Sequence, residues 1–177
     1  MLSLGCLQHC AEPKPERASG KVIYDFLAHA QDAQIAHYHR ERVNFAAEFT
    51  INEEKRGLIF EHPDAEVQFN NVAIPQNAVL QFGIGMNPQV WDKAGDGVTF
   101  EIKVVDEKSA KIQIFSSYID PKANSSDRKW VDHDVDLSDF SGQKVSFVFV
   151  TTAGPRGDPA YDWAGWSNPK VRLKTGG

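Results

Sequence analysis

Tryptophan and tyrosine side chains near turns are the first residues of this sequence whose type suggests chemistry. Their rings stack on the C–H faces of sugars, and their polar edges give such a contact a direction. Trp91 and Trp166 stand beside turn residues and are expected to be exposed, and Tyr118 and Tyr161 would extend the same platform. The alternative is that the rings close the ends of the fold, because a large ring buries much area.

The loop before the last predicted strand carries polar residues that suit a metal ion. Asp158, Asp162 and Asn168 lie in this Gly- and Pro-rich segment, and loops can bring several oxygens together where strands cannot. Hard oxygen ligands suit Ca²⁺, which takes roughly six to eight of them. The sequence therefore predicts either a calcium site or polar contacts to a sugar at these three residues. Trp163 of the same loop and Trp130, which begins a predicted strand, are assigned to the framework of the fold.

Three aspartates alternate along one predicted strand, but their spacing does not suit a metal ion. On a strand Asp132, Asp134 and Asp136 would all face one side, where carboxylates repel one another unless a cation or basic side chains compensate. Successive residues on one face are about 7 Å apart, too far for all three to bind one ion. The favoured interpretation is a solvated outer face.

No set of residues predicts catalysis. The sequence lacks the G-x-S-x-G motif of a hydrolase nucleophile and the H-E-x-x-H motif of zinc proteases. His37 and His39 would face the same side of a strand, but no third metal ligand is identifiable beside them. The sequence therefore predicts no catalytic residues, and the chain is not expected to be an enzyme.

The elements that must position these side chains are short β-strands. Apolar residues occupy every second position in residues 43–51 and 98–104, which is the alternation of a half-buried strand. Runs of this kind, about eight to ten in number and separated by turn residues, indicate an all-β sandwich or barrel. One segment is predicted to be helical rather than a strand. Asp25 is expected to cap a short helix over residues 26–38.

Composition and charge are those of a folded domain. With 177 residues, of which 41% are hydrophobic and 24% charged, the sequence predicts a single β-sandwich domain over residues 21–177. The net charge of −5 argues against nucleic acid as a partner, since a binder needs a basic face. No apolar run approaches the roughly 20 residues that cross a bilayer as a helix, so no transmembrane span is expected.

The first 20 residues are predicted to be a signal remnant or a flexible tether. Residues 11–20 are charged and contain proline, which is typical of a tether. Leu4-Gly5-Cys6 ends like the lipoprotein box of bacteria, although Ser3 stands where a Leu is usual. This segment predicts an extracytoplasmic protein, at the cell surface, in the periplasm or secreted, with a lipid anchor at Cys6. The alternative is a disordered start with two incidental thiols.

Three segments resemble a known class of sugar-binding domains. They are residues 95–100 (GDGVTF, with Trp91 before them), 135–143 (VDLSDFSGQ) and 162–169 (DWAGWSNP). Such segments precede or enter strands in jelly-roll domains of the galactose-binding-like class, especially the carbohydrate-binding modules of bacterial glycosidases and related domains of bacterial envelope proteins. The resemblance covers residues 78–173 well and the first half loosely. It implies a jelly-roll sandwich of about eight or nine antiparallel strands, often with a structural Ca²⁺, and ligands held by loops at one end or by an outer face.

Two functions follow from the residues and the resemblance. The first is a non-catalytic binding module for glycans, in which Trp166→Ala would weaken binding and leave the fold intact. The alternative is a structural or assembly protein of the bacterial envelope or of an extracellular filament, whose partner is another protein. A glycan binder should leave at least two aromatic rings exposed and coplanar near a groove, whereas an assembly block should bury its rings and expose an apolar patch or a sheet edge.

Overall fold

The computed structural model describes residues 20–35 and 37–174. Two antiparallel β-sheets make up the fold, which confirms the predicted all-β sandwich. The described residues contain no α-helix, and none of their helices is long and apolar enough to cross a membrane. The strands are β1 (Val22–Asp25), β2 (Gln34–Ile35), β3 (Val43–Ile51), β4 (Glu54–Glu61), β5 (Ala65–Ala73), β6 (Ala78–Met86), β7 (Val98–Val105), β8 (Lys111–Ile119), β9 (Val131–Asp136), β10 (Lys144–Ala153) and β11 (Ala164–Leu173).

The strands are divided between two sheets. Sheet A has the order β3-β4-β11-β6-β9, and β1 also pairs with β11 beside this path. Sheet B has the order β2-β5-β10-β7-β8. Short 3₁₀ helices lie between the strands at Ala30–Asp32, His37–Arg42, Pro88–Val90, Ser125–Asp127 and Ser138–Phe140.

The main core lies between the sheets and is built from inward-facing side chains. In β7 the predicted alternation is confirmed, because Val98, Phe100, Ile102 and Val104 are all fully buried. Ile102 pairs with Phe149 of the central strand β10, which is equally buried. Burying one such side chain contributes roughly 1.5–3 kcal/mol, so this alternation is the main source of stability for the sandwich.

A β-bulge in β3 moves its side chains from one face of sheet A to the other. The pairing of β3 with β4 shifts register between Asn44 and Ala47, and a bulge interrupts the two-residue alternation by one residue. Phe45 therefore packs against the inter-sheet core, whereas Phe49 lies on the outer face beside Trp130. The outer-face cluster consists of Phe49, Ile51, Leu58 and Trp130, with Ala47, Phe60 and Trp91 packed against it.

The helix predicted for residues 26–38 does not form in the described part of that segment. Asp25 accepts hydrogen bonds from two following backbone N–H groups at 3.1 and 3.4 Å, as a capping residue would, but the chain continues as a turn and the 3₁₀ helix Ala30–Asp32. The reason is Phe26, which is fully buried and meets Phe147 edge to face with ring centres 5.3 Å apart. This anchor holds the segment flat against the core, and strand β2 follows it.

The solvated outer face predicted for the aspartates of β9 is confirmed. Asp134 and Asp136 are exposed, whereas Val131 and Val135 on the other face pack against the core. Asp132 is less exposed because the guanidinium group of Arg56 binds it, with Nη1 at 2.5 Å from Oδ1. A basic side chain thus compensates the charge of Asp132, the first of the three carboxylates.

The predictions for the N-terminal segment fall largely outside the described residues. These are the signal remnant or tether and the lipid anchor at Cys6. The boundaries of a single domain at residues 21–177 stay a prediction.

Candidate ligand-binding site

Trp166 lies in the core between the sheets, so the prediction that it is exposed to a ligand is wrong. Its ring is 0% exposed. The ring centres of Phe100, Phe149 and Phe82 lie 4.9, 5.3 and 5.6 Å from it. Trp166 pairs with Ile84 of β6, whose side chain is also buried in this core. An enclosed ring of this kind stabilises the fold and has no surface to offer a sugar.

The other three aromatic residues predicted to contact a ligand have different surroundings. The Nε1–H of Trp91 donates to the Met86 carbonyl at 3.1 Å, and the guanidinium carbon of Arg128 lies 5.7 Å from the centre of the Trp91 ring. Arg128 therefore covers one face of this half-buried ring. Tyr118 and Tyr161 are exposed, at 45% and 49%, and their contact with a ligand stays a prediction.

An open cleft at the edge of sheet A gathers side chains that suit a sugar. This edge cleft has a volume of about 330 Å³. It lies where β3 begins, β4 ends and the chain enters β11. Two half-buried aromatic rings and two small apolar side chains share it with one carboxylate and one amide: Phe60, Trp163, Val43, Ala47, Glu41 and Asn44.

Strands β3 and β4 build one wall of the edge cleft. Asn44 and Phe60 are paired across the two strands, and paired residues project from the same face of a sheet. The bulge holds the amide in place, because Asn44 Oδ1 accepts a hydrogen bond from Ala46 N at 2.8 Å. Phe60 is backed by Phe49 of the outer-face cluster, edge to face with ring centres 6.2 Å apart. Both side chains of this wall are therefore fixed before a ligand arrives.

The 3₁₀ helix His37–Arg42 presents Glu41 to the cleft. The neighbouring Arg42 anchors the end of this helix, because its Nη1 donates to the Pro63 carbonyl at 3.0 Å and to the Asp64 carbonyl at 3.1 Å. These bonds tie the backbone beside Glu41 to the loop after β4. They also engage one of the two arginines next to Glu41 in sequence; the other, Arg40, is exposed and does not line the cleft.

Trp163 forms another wall of the edge cleft and is held on both sides along the chain. Its carbonyl accepts a hydrogen bond from Asn87 N at 3.0 Å, and Ala164 then begins β11. Before it, the carboxylate of Asp162 lies 2.7 Å from the Lys122 ammonium group. The half-buried ring therefore has a fixed position while part of it remains accessible.

Sequence reasoning assigned Trp163 to the framework and Trp166 to the site. Trp166 belongs to the core instead, whereas Trp163 packs against the core as predicted and also lines the edge cleft. Parity along β11 is the signal that could have placed Trp166 in the core, since residues two apart share a face. Ala164 and Trp166 are both buried in the core. Gly165 therefore belongs to the other face, where Phe60 is its pairing partner. Trp163 directly precedes β11 and contributes to both the core and the edge cleft.

The structure does not bring together the three residues predicted to bind a metal. Asp162 binds Lys122, and Asp158 Oδ1 accepts a hydrogen bond from Ala160 N at 3.0 Å. Asn168 lies four residues into β11, which places it about 13 Å along the strand. Within residues 20–35 and 37–174, no group of three or more His, Cys, Asp or Glu side chains could hold a metal ion. The calcium that the resemblance implies therefore does not fit this donor set.

Burial governs the charge state of Asp162. Removal from water raises the pKa of this carboxyl group to about 6, which outweighs the lowering by its bond to Lys122. The nearby carboxylates of Asp96 and Asp158 raise the pKa further. The ion pair is therefore formed at neutral pH and weakens as the pH falls through about 6.

A second buried carboxyl group, Glu61, lies behind the cleft. Glu61 follows Phe60 along β4, so its side chain points to the opposite face, into the core. It is fully buried, and neither of its carboxyl oxygens has a hydrogen-bond partner. Burial raises the pKa of Glu61 well above its usual range, against the opposing effect of the nearby Trp166 indole and Thr151 hydroxyl. The folded protein therefore binds the proton of Glu61 more tightly than the unfolded protein does.

Comparison with known sequences identifies one uncharacterised relative. No family model matches the chain. An uncharacterised protein of Archaeoglobus fulgidus is 45% identical over 120 residues, which cover 64% of this chain and 30% of the relative. The match thus spans about 30% of the length of this curated relative.

The solved structures similar to this chain include carbohydrate-binding modules. The CBM51-2 and INT domains of Clostridium perfringens ZmpB, solved with GlcNAc, give a TM-score of 0.58 at 17% identity, covering 81% of this chain and 30% of that one. The CBM22-1 xylan-binding domain of Paenibacillus barcinonensis Xyn10C gives 0.51 at 12% identity, covering 92% and 100%. A CBM28 module specific for non-crystalline cellulose gives 0.51 at 11% identity, covering 81% and 89%. The chain has their fold.

The predicted likeness to carbohydrate-binding modules is thereby confirmed at the level of the fold. Identities of 11–17% show the fold alone, and one fold hosts many functions. The ligand must therefore be argued from the residues of this chain.

Proposed function

We propose that this chain is a non-catalytic carbohydrate-binding module that holds a glycan in the edge cleft. The observation that carries the proposal is a pair of half-buried aromatic rings, Phe60 and Trp163, that share one open cleft with Glu41 and Asn44. Aromatic faces stack on the C–H faces of sugar rings. Carboxylate and amide groups bond the hydroxyl groups around the rim of the sugar.

The accessibility of these rings favours a glycan binder over an assembly block. A glycan binder is expected to expose at least two coplanar rings near a groove. Phe60 and Trp163 are half-buried, and both line one open cleft, where part of each ring is accessible. The volume of about 330 Å³ lies at the lower end of the range for small-ligand sites, roughly 300–1,000 Å³. A cleft of this size suits the end of a glycan or a short stretch of it.

The charge of the edge cleft favours neutral sugars. Glu41 is exposed and contributes a carboxylate to the cleft, and the whole chain carries a net charge of −5. Of its two neighbouring arginines, Arg42 is engaged by two backbone carbonyls and Arg40 does not line the cleft. A uronic or sialic acid would bring its own carboxylate close to Glu41, where like charges repel. Uncharged sugars are therefore the expected ligand class.

The composition of the cleft supports binding without hydrolysis. Glycosidases usually place two carboxyl groups on either side of the scissile bond, roughly 5–9.5 Å apart. Among the described residues that line the edge cleft, Glu41 alone carries a carboxyl group. One carboxylate can orient a sugar by hydrogen bonding but does not make the usual acid and base pair.

A location outside the cytoplasm is part of the proposal. It is supported by residues 4–6, which resemble the end of a lipoprotein box, and by the extracellular location of most polysaccharides. Protease treatment of spheroplasts, whose cell wall and outer layers have been removed, tests it together with assay of the released fraction and the medium. Loss of the chain from the protease-treated spheroplasts, or its release, is expected, and a chain that stays inside them fully protected would argue for a cytoplasmic protein.

A glycan array followed by calorimetry tests the function itself. The folded wild-type protein is expected to bind at least one neutral glycan. Trp163→Ala and Phe60→Ala should each weaken that binding roughly tenfold, because each removes a stacking contact. Ile112→Ala is the control, since it removes an exposed apolar side chain that does not line the edge cleft. No glycan bound by the folded protein, or equal affinities of Trp163→Ala and Ile112→Ala, would contradict the proposal.

A further inference from the structure

The ammonium group of Lys122 lies in a buried site lined by oxygen atoms. Its Nζ donates to the Ala94 carbonyl at 2.6 Å, to the Ala160 carbonyl at 2.9 Å and to Asp162 Oδ1 at 2.7 Å. The side chain of Lys122 is 6% exposed and that of Asp162 is 0% exposed. Lysine is almost never buried to this degree unless it is paired, so the ammonium group has a specific structural partner set.

Three separate loops meet at this ammonium group. Ala94 belongs to the loop between β6 and β7, Lys122 follows β8, and Ala160 and Asp162 precede β11. The loops approach one another closely, since a Cβ atom at Gly95 would collide with both the Ala160 carbonyl and the Lys122 ammonium. The ammonium group is the cross-link through which these loops are joined.

Two further carboxylate oxygens at this end of the sandwich have no hydrogen-bond partner. They are Asp162 Oδ2 and Asp96 Oδ1, and both are buried. Asp96 itself is 1% exposed, and it lies close enough to Asp162 to affect its ionisation. Backbone carbonyls and aspartate carboxylates are the ligand types that Ca²⁺ prefers. The single charge of Lys122 thus occupies a site whose oxygen atoms have the chemistry of a divalent-cation site.

We propose that Lys122 is a built-in replacement for a structural metal ion. Its ammonium group joins the three loops, makes the fold independent of calcium and holds Trp163 at the edge cleft. The statement about the edge cleft rests on the proposed function, whereas the statements about the loops and calcium do not.

Loss of the ammonium group is expected to create a calcium site. In Lys122→Ala, the Ala94 and Ala160 carbonyls and the Asp162 carboxylate would face an empty hole with an uncompensated negative charge. Calcium–oxygen distances are about 2.3–2.6 Å, slightly shorter than the 2.6–2.9 Å distances around the ammonium nitrogen. A small closure of the three loops would therefore complete the shell around an ion, together with water.

Thermal unfolding in excess CaCl₂ and in EDTA tests the replacement. The melting temperature of the wild-type protein should be the same in both. Lys122→Ala should melt lower in EDTA and recover by roughly 5–10 °C at calcium concentrations about 100 times the dissociation constant. Lys122→Met, whose side chain fills the hole, should melt lower than the wild type and not respond to calcium. Lys174→Ala, which removes an exposed ion pair with Asp136, is the surface control and should not respond.

Two results would overturn the replacement. One is a wild-type melting temperature that rises in calcium. The other is a Lys122→Ala protein that behaves alike in calcium and EDTA, whether folded or unfolded in both.

Glycan affinity gives an independent second readout. If Lys122 positions Trp163, Lys122→Ala should lose affinity in EDTA and regain it in calcium, while Lys174→Ala keeps the wild-type affinity in both. Full affinity of Lys122→Ala in EDTA would reject the positioning role. A wild-type protein that binds no glycan would reject the proposed function and leave the melting temperatures to decide the calcium question.

Discussion

Trp163 and Trp166 lie three residues apart in the chain and serve different parts of the molecule. Trp166 is fully buried among the phenylalanine rings between the two sheets, and Trp163 lines the open edge cleft. The burial of Trp166 follows from strand parity, because β11 begins at Ala164 and sends alternate residues to opposite faces, whereas Trp163 directly precedes the strand. One short segment thus supplies both a central residue of the core and a wall of the candidate site.

Removing the Trp166 ring should destabilise the fold rather than act on binding. Trp166→Ala is expected to lower the free energy of unfolding by about 3–5 kcal/mol, because it leaves a large cavity between the sheets. Urea denaturation measures this. Trp163→Ala is the comparison, and it should cost clearly less because its ring is only half-buried. Equal losses for the two variants would contradict the division of roles.

The fold was largely predictable because it rests on a local signal. Alternating apolar residues mark β7 and β9, and the structure confirms both. The failed helix over residues 26–38 shows the limit of local reasoning, since the environment of Phe26 is set by the distant β10. Asp25 does accept hydrogen bonds from the following backbone, as a cap would. Tertiary packing nevertheless gives a turn and a 3₁₀ helix after it in place of the predicted helix.

The candidate site was harder to predict because its parts come from distant segments. Phe60 and Trp163 are about a hundred residues apart in sequence, and no periodicity links them. The bulge after Asn44 could not be predicted either, because apolar residues alternate without interruption along the sequence of β3. The buried ion pair of Lys122 could not be predicted, because a lone lysine in a polar loop is usually solvated. Only the fold brings Lys122 next to Asp162.

Removing the Glu41 charge should change which sugars are accepted. With Glu41→Gln, the repulsion of acidic sugars is lost, so the affinity ratio between a neutral sugar and its uronic acid should fall severalfold. Calorimetry with the two sugars at low and high salt measures the ratio. Glu48→Gln is the control, because Glu48 is an exposed carboxylate outside the cleft lining. An unchanged ratio in Glu41→Gln would remove Glu41 from the site.

Glu61 should make the protein less stable as the pH rises. Because the folded-state pKa of Glu61 is raised above its unfolded value of about 4.3, the folded state binds more protons above that pH. Stability contributed by the protonated group is complete below about pH 4 and is lost as the pH rises towards the folded-state pKa.

Glu61→Gln tests this pH dependence. The variant should be more stable than the wild type at pH 7–8, and the gap should close towards pH 4. Urea denaturation of both proteins across this range measures the gap. Asp162, whose pKa is also raised, is present in both proteins and cancels in the difference. If the free energies of unfolding of the two proteins changed with pH in parallel, the charge of Glu61 would already be compensated by its surroundings in the core, and the prediction would be wrong.

Gly85 should be intolerant of a side chain. A Cβ atom there would lie 2.9 Å from Trp130 and 2.9 Å from Ile51, which cover the outer face of sheet A. Gly85→Ala is therefore expected to lower the free energy of unfolding by about 1–3 kcal/mol. Gly57→Ala in β4 is the matched strand control, since its nearest neighbour would be Leu27 at an ordinary 3.6 Å. Equal effects of the two substitutions on the denaturation midpoint would contradict this packing.

The most direct test of the edge cleft is an NMR titration that follows the indole N–H signals of the four tryptophans, assigned by Trp→Phe substitution. As a glycan from the array is added to the wild-type protein, the Trp163 signal should move in a saturable manner. The signals of Trp166, buried in the core, and of Trp130, buried in the outer-face cluster, should stay close to their starting positions. A saturable shift at Trp91 with none at Trp163 would place the sugar elsewhere and contradict the account.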